Sequence, residues 1–201
     1  MLEFSIKGCR LTIRFSFFAL LAFCCLFAGA SSSAFLLLAV LLHETAHLLV
    51  MCLFHDPPQS VSLSALGCHM ILFEGKPMSY GKNVLVSLAG PFVNLLSFGV
   101  IALFDRQNHI FALASLALGI FHCLPIEPLD GGLALRAFLS SFLETEKAEK
   151  MTFFISLVLL FPLALLGFLI LLRTRYNFSL LLMSLYLMFY LVLKRELPRL
   201  R

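Results

Sequence analysis

The chain has 201 residues, of which 61% are hydrophobic and 13% charged, and its formal net charge at pH 7 is +4. This composition excludes an ordinary soluble domain and is typical of a polytopic membrane protein in contact with membrane lipid. Lys and Arg cluster beside apolar segments and form no basic stripe with interleaved aromatics, so no nucleic-acid partner is expected. The six cysteines form no C-x-x-C pair and are expected to be small buried apolar residues.

Six apolar runs predict six transmembrane helices, at about 11–30, 33–54, 84–104, 110–124, 151–172 and 178–193. The first run ends in Ala28-Gly29-Ala30, which resembles a signal-peptidase site. Because the run is long enough to span a membrane, we favour a retained helix over a cleaved signal. The fourth run is broken by Pro125 and Pro128 and resumes as Leu133 to Leu143.

The positive charges predict the orientation of these helices. With six spans and the N-terminus inside, only Arg106, Arg173 and Arg175 fall outside, which leaves 12 of the 15 Lys and Arg inside. A missed or spurious helix would scramble this asymmetry. It therefore supports the number of spans and a cytoplasmic position for both termini.

The longest connection, about 55–83, lies between the second and third runs. Its middle, Val61 to Phe73, is too apolar for an aqueous loop and partly alternates with a period of two residues. We predict a membrane-associated β-hairpin bent at Gly67, with an apolar interfacial loop as the alternative. An exposed strand over Ser62 to Phe73 would be able to hold an unwound substrate by strand addition. The predicted fold is thus an all-α polytopic membrane protein of about six helices with this hairpin.

The second run contains His43-Glu44-Thr45-Ala46-His47 in an otherwise apolar segment. Ionisable side chains are costly at membrane depth, so they indicate a functional site. His43 and His47 share one face of a helix, where two imidazole nitrogens can bind one metal ion. Glu44 is then placed to act on a water at the metal. The alternative is two core histidines at chance spacing.

A catalytic zinc site needs a third protein ligand, and Asp130 is the strongest candidate. It lies in Pro125-Ile126-Glu127-Pro128-Leu129-Asp130-Gly131-Gly132. The prolines break the helix, and the glycines permit close approach of another backbone. A broken helix at membrane depth lines a cavity or is buried in protein, which favours a site over an ordinary turn.

These motifs resemble the site-2 protease family of intramembrane zinc metalloproteases, which combines H-E-x-x-H with an N-x-x-P-x-x-P-L-D-G-G type sequence. Gly90-Pro91-Phe92-Val93-Asn94 resembles the family's G-P-x-x-N pattern, and the hairpin resembles its membrane sheet. The resemblance runs over about 33–143, which is the expected protease core. Residues 1–32 and 144–201 are expected to form peripheral helices. The whole chain is expected to be a single membrane domain. It implies that His43, His47 and Asp130 bind one Zn²⁺ ion and that Glu44 is the catalytic base.

Six spans with H-E-x-x-H in the second most resemble the bacterial sporulation subgroup that processes a sigma factor. This implies a multi-pass protein of the bacterial cytoplasmic membrane. The chain carries no recognisable CBS domain, so regulation by nucleotide sensing is not expected.

His122 stands where the family motif has asparagine. We weigh three roles for it: a donor to substrate or oxyanion, a hydrogen-bond partner of Asp130, and a histidine packed at a helix end. Asn94 is predicted to contact the substrate backbone, with an interhelical hydrogen bond as the alternative. Glu127, His69, His55 and His109 are expected to face solvent or the interface.

The resemblance implies an enzyme, a zinc metalloendopeptidase that cuts within or near transmembrane segments of membrane-tethered proteins. A regulatory membrane partner acting in trans is a further expectation, while the sequence does not indicate the oligomeric state. The alternative is a non-catalytic membrane protein, either a pseudoprotease that binds transmembrane segments or a metal-ion transporter. All the metal ligands and the base are present, which disfavours a pseudoprotease, and the other spans carry few polar residues, which disfavours a transporter.

Overall fold

A computed structural model describes residues 2–6, 9–64, 67–71, 78–104 and 109–196. The strands are β1 (Leu2–Ile6), β2 (Cys9–Ile13), β3 (Ser60–Ser64) and β4 (Gly67–Ile71). The helices are α1 (Phe15–Ala28), α2 (Ala30–Leu53), α3 (Tyr80–Ala102), α4 (Ile110–Cys123), α5 (Asp130–Ser140), α6 (Thr145–Thr174) and α7 (Ser179–Glu196).

Helices occupy all six of the predicted positions. Within the described ranges, three of them, α2, α3 and α6, are long and apolar enough to cross a membrane. The helices α1, α4 and α7 are apolar but shorter. Because a straight crossing needs about 20 residues, six spans stay a prediction.

The helices pack as in a membrane-embedded protein. Several small residues are buried inside the helices: Ala39, Ala112, Gly119, Ala134, Ala148 and Gly167. Large apolar side chains such as Leu26, Phe92 and Phe161 point outward and are more than half exposed. Small residues let membrane helices approach closely, and exposed aromatic and leucine side chains suit a lipid environment rather than water.

The four cysteines whose side chains are described, Cys24, Cys25, Cys52 and Cys123, are free thiols. The expectation that they are buried is wrong, because Cys24 is half-buried and the other three are exposed. A weakly polar thiol is tolerated on the outer face of an apolar helix.

The N-terminal segment corrects the prediction for the first span. Residues 11–13 belong to β2, and the first helix begins only at Phe15. The described strands form one sheet in the order β1-β2-β3-β4, in which β2 and β3 are parallel and the other pairs are antiparallel. The predicted hairpin is present as β3 and β4, but it is half of a larger sheet, so the all-α class is incomplete.

The parallel pairing of β2 with β3 constrains the two helices between them. The chain leaves the sheet at Ile13, which pairs with Leu63, while Arg10 pairs with Ser60. The helices α1 and α2 must therefore run out and back, which brings β2 and β3 to the same end of this helical pair.

The strand order restricts the expected strand addition, over Ser62 to Phe73, to the β4 part of that range. Because β3 lies between β2 and β4, its residues Ser62 and Leu63 are already paired on both sides. The edges of the sheet are β1 and β4. Phe73, the predicted end of the exposed strand, lies outside the described residues.

The chain divides into two compact units, residues 1–121 and 122–201. In the first unit, Met51, Met78 and Val86 form a buried cluster against which Met70 of β4 packs. In the second unit, α6 and α7 approach closely at Gly167, where an added Cβ would lie 2.8 Å from the Cα of Leu181. The assignment of one membrane domain stays a prediction.

Candidate metal centre

His43 and His47 lie one turn apart on α2, and both are buried, with 2% and 7% of their surface exposed. Their ring centroids are 4.9 Å apart and the rings are inclined at 77°. Both side chains sit on the packed face of an apolar helix, where an unligated imidazole must be satisfied by hydrogen bonds. The histidine spacing predicted from the sequence is therefore realised on one buried helix face.

The ring of His47 is oriented by the neighbouring helix α3. Its Nδ1 lies 2.7 Å from the backbone oxygen of Val86. A carbonyl oxygen only accepts, so Nδ1 carries the proton and Nε2 has the lone pair. This is the tautomer that a metal-binding histidine needs.

The ring of His43 is paired with Asn94, also on α3 and with 0% of its surface exposed. The side-chain amide nitrogen Nδ2 of Asn94 lies 3.3 Å from Nδ1 of His43. With Nδ2 donating, Nε2 of His43 carries the proton. Metal binding through Nε2 requires the reverse arrangement, in which Nδ1 donates to the amide oxygen.

A half-turn of the Asn94 amide supplies that arrangement. Within the described part of the chain, the amide oxygen Oδ1 is buried and makes no hydrogen bond. The half-turn would therefore exchange one donor for one acceptor opposite His43 without breaking a bond to Oδ1. Asn94 is therefore able to hydrogen-bond to His43 in either tautomer, the metal-free one through Nδ2 and the metal-bound one through Oδ1.

Gly90 makes room for both imidazoles. A Cβ added at Gly90 would lie 2.7 Å from Nε2 of His43 and would also contact Nε2 of His47. The backbone of α3 thus passes directly beside the Nε2 atoms of both histidines. Only glycine leaves this space open.

Asp130 begins α5 immediately after the predicted break, and the two glycines that follow it are tightly packed. An added Cβ at Gly131 would meet the carbonyl oxygens of Cys123 and Leu124. An added Cβ at Gly132 would meet the backbone of Ile126 and Glu127. The residues before the aspartate therefore fold back over the first turn of its helix, which restricts where Asp130 can lie.

The Asp130 carboxylate is held by His122. Nδ1 of His122 lies 2.7 Å from Oδ2 of Asp130, and both side chains are partly buried. Since a carboxylate only accepts, the imidazole donates. A carboxylate can accept on both oxygens, so this bond is compatible with metal binding by Asp130.

The three residues predicted as metal ligands belong to different units, His43 and His47 to the first and Asp130 to the second. Two imidazole nitrogens and one carboxylate oxygen form the His₂-carboxylate set that catalytic zinc sites use, with a fourth position for water or substrate. The residues present therefore fit one zinc ion. Glu44 adjoins His43 on α2, is half-buried, and lies one helical turn before His47.

The structure distinguishes among the alternatives for the remaining residues. His122 is a hydrogen-bond partner of Asp130, and Asn94 makes an interhelical hydrogen bond to His43. Contacts of either residue with substrate stay predictions. His55 and His109 are exposed, as expected, whereas the side chain of His69 lies outside the described residues.

The expectation that Glu127 faces solvent or the interface is wrong. Only 3% of its surface is exposed, and its carboxylate contacts Arg136 and Lys194. The signal for this burial was present in the sequence, because an acidic residue beside prolines in an apolar segment needs a partner. What the sequence did not indicate was the partner, since Lys194 is 67 residues away.

The fold and the site define a membrane-embedded protein with two buried histidines on one helix face and an aspartate that begins another helix. The sequence matches no protein-family model and no curated protein. The structure is similar to that of a site-2 protease from Methanocaldococcus jannaschii, with a TM-score of 0.64 and 24% sequence identity. The similarity covers 94% of this chain and 92% of that chain. The chain therefore has the fold of a site-2 protease.

Proposed function

We propose that this protein is an intramembrane zinc metalloprotease of the site-2 protease family. Its substrates would be membrane-tethered proteins, cut within or near a transmembrane segment. The observation that carries the proposal is the buried pair His43 and His47 on α2, with Nδ1 of His47 held by the Val86 carbonyl, in a chain with this fold. Together with the Asp130 carboxylate, the pair offers two imidazoles and one carboxylate as ligands. A catalytic zinc site needs such a set, and Glu44 supplies a carboxylate beside it.

His43, His47 and Asp130 would hold the zinc ion, and Val86, Asn94 and His122 would orient these ligands. That list contains one orienting partner for each ligand. Bound zinc would supply Lewis acidity to a water molecule and to the substrate carbonyl. Orienting partners keep each donor atom in place, so less reorganisation is needed when the metal binds.

Glu44 would be the general base and then the general acid. It takes one proton from the attacking water, whose oxygen forms the new bond to the peptide carbon. As the carbon–nitrogen bond breaks, Glu44 returns that proton to the leaving amine. The products are one carboxylic acid and one amine, so water is the only co-reactant.

Substrate would add to the sheet at the β4 edge. A transmembrane helix hides its peptide bonds in internal hydrogen bonds, so the segment must unwind before it can be cut. An extended segment can be held by backbone hydrogen bonds to a sheet edge. Support comes from Met70 of β4, which packs on a cluster containing Met51 of α2 and Val86 of α3, the two helices that carry and orient the histidines.

We also propose cytoplasmic termini, a bacterial cytoplasmic membrane and the sporulation subgroup, all three on sequence grounds alone. The orientation is supported by the 12 of 15 Lys and Arg that fall inside under six spans. Reporter fusions at both ends would test it. An extracytoplasmic reporter signal at either end would contradict it.

Activity is tested by comparing membrane-protein fragments in cells that express the wild type or Glu44→Gln at equal levels. Gln keeps the shape of the side chain but cannot take up a proton at neutral pH. We expect fragments with new termini in or beside transmembrane segments only with the wild type. Glu146→Gln is the matched control, because Glu146 is an exposed partner of Lys150 and its loss should leave cleavage unchanged.

Metal binding is tested on purified protein by elemental analysis. We expect about one zinc per chain in the wild type and strongly reduced zinc in His43→Ala, His47→Ala and Asp130→Asn, since two ligands rarely retain zinc. A full equivalent of zinc in any of these variants would remove that residue from the ligand set.

A further inference from the structure

Glu127 is a buried carboxylate at the centre of a charge cluster that the proposed mechanism does not use. Its Oε1 lies 2.8 Å from an Arg136 guanidinium nitrogen and 2.6 Å from Nζ of Lys194. Nζ of Lys194 is also 3.6 Å from Glu149, which is about half exposed. The cluster joins the loop before α5 to α5, α6 and α7.

The backbone of Glu127 is held as well. Its amide N–H donates to the hydroxyl of Ser156 on α6, at 3.0 Å, and this hydroxyl is buried. Side chain and backbone of one loop residue are thus attached to three different helices. A buried carboxylate that loses such partners is strongly destabilised, so these contacts determine where the loop lies.

The position of Glu127 is transmitted directly to the metal-ligand turn. The backbone nitrogen of Glu127 lies against Gly132, where an added Cβ would collide with it. Within the same turn, the Leu129 amide donates to the Ile126 carbonyl at 2.8 Å. The backbones of Glu127 and Gly132 are in direct contact, with no space between them. A shift of Glu127 must therefore move the first turn of α5, which begins with Asp130.

We propose that Glu127 is a positioning residue that, through Arg136 and Lys194, holds Asp130 in its ligand geometry. The end of α7 thereby becomes part of the metal centre's support. This inference rests on the proposed function, because it requires that Asp130 bind zinc. It assigns to α7 a role in metal affinity.

The test measures the zinc affinity of purified protein in detergent by competition with a chelator, together with the thermal unfolding temperature. Glu127→Gln should bind zinc about tenfold more weakly, the effect typical of losing an outer support of a metal ligand. Lys194→Met should show a smaller loss, because Arg136 still contacts Glu127. The double variant should lose less than the sum of the two changes in binding free energy, since both act on one contact.

Two readouts separate positioning from general stability. The visible absorption spectrum of Co²⁺ bound in place of zinc reports ligand geometry and should change in Glu127→Gln but not in Glu146→Gln. Glu127→Asp keeps the charge and should recover part of the zinc affinity. If Glu127→Gln does not fold, the zinc affinity and the Co²⁺ spectrum of the milder variant Lys194→Met test the positioning role instead.

The outcomes distinguish the two proposals. A wild type that binds no zinc overturns the proposed function and this inference with it. A wild type that binds zinc, with the same affinity and Co²⁺ spectrum in Glu127→Gln, overturns only the positioning role. Weaker zinc binding with an altered Co²⁺ spectrum supports it.

Discussion

His122 donates a hydrogen bond to the carboxylate of Asp130 across 2.7 Å. An orienting partner of a metal ligand is worth about 10- to 100-fold in metal affinity, so His122→Ala should weaken zinc binding by that factor. His122→Gln, which keeps a donor, should lose less. The measurement is chelator competition on purified protein. Unchanged zinc affinity combined with a raised KM for a cleaved substrate would instead assign His122 to substrate binding.

The pairing of Asn94 with His43 predicts opposite effects of two substitutions. A metal on Nε2 leaves Nδ1 as a donor, so an acceptor is required at position 94. Asn94→Asp presents only acceptors and should retain zinc affinity, whereas Asn94→Leu offers none and should lose about 10- to 100-fold. Equal losses in both variants would contradict the proposed turn of the amide. Zinc competition again provides the measurement.

Gly90 predicts a loss of metal binding from one added methyl group. Gly90→Ala would place a Cβ 2.7 Å from Nε2 of His43 and against Nε2 of His47, so we expect strongly reduced zinc per chain. Gly99→Ala on the same helix is the control, because nothing lies within 4 Å of its added Cβ. That variant should bind zinc normally and be stabilised by about 0.5–1 kcal/mol. Normal zinc content in Gly90→Ala would mean that the histidines bind metal elsewhere.

The strands β2 and β3 predict a specific cross-link. Thr12 and Ser62 are paired in the parallel register, and neighbouring strands lie about 4.8 Å apart, within reach of a disulfide. Mild oxidation of membranes containing Thr12→Cys/Ser62→Cys should join the two peptides, as detected by mass spectrometry after digestion. In Thr12→Cys/Leu63→Cys the second side chain points to the other face, so this pair should stay largely unlinked. Equal linkage in both would contradict the register.

Local patterns account for the features that could be predicted from the sequence. The four-residue spacing of His43 and His47 requires a shared helix face wherever the helix forms. The break before Asp130 follows from two prolines, whose missing N–H groups and fixed φ interrupt a helix. Six apolar runs became six apolar helices because hydrophobicity at this length leaves few other solutions.

Features that depend on distant partners were missed or left open. Residues 11–13 were predicted to begin an apolar span, but they belong to a strand because β3, about 50 residues later, offers backbone partners. The burial of Glu127 depends on Lys194, and the choice among three roles for His122 depends on where the loop places Asp130.

The sequence by itself determined a polytopic membrane protein with two histidines and a glutamate on one helix and an aspartate after a broken one. Those properties follow from hydrophobicity and from spacing within single helices. Only the tertiary structure decided which groups hold these side chains: the Val86 carbonyl for His47, the Asn94 amide for His43 and the His122 imidazole for Asp130. Hydrogen bonds between segments depend on positions accurate to a few tenths of an ångström, and packing alone sets those positions.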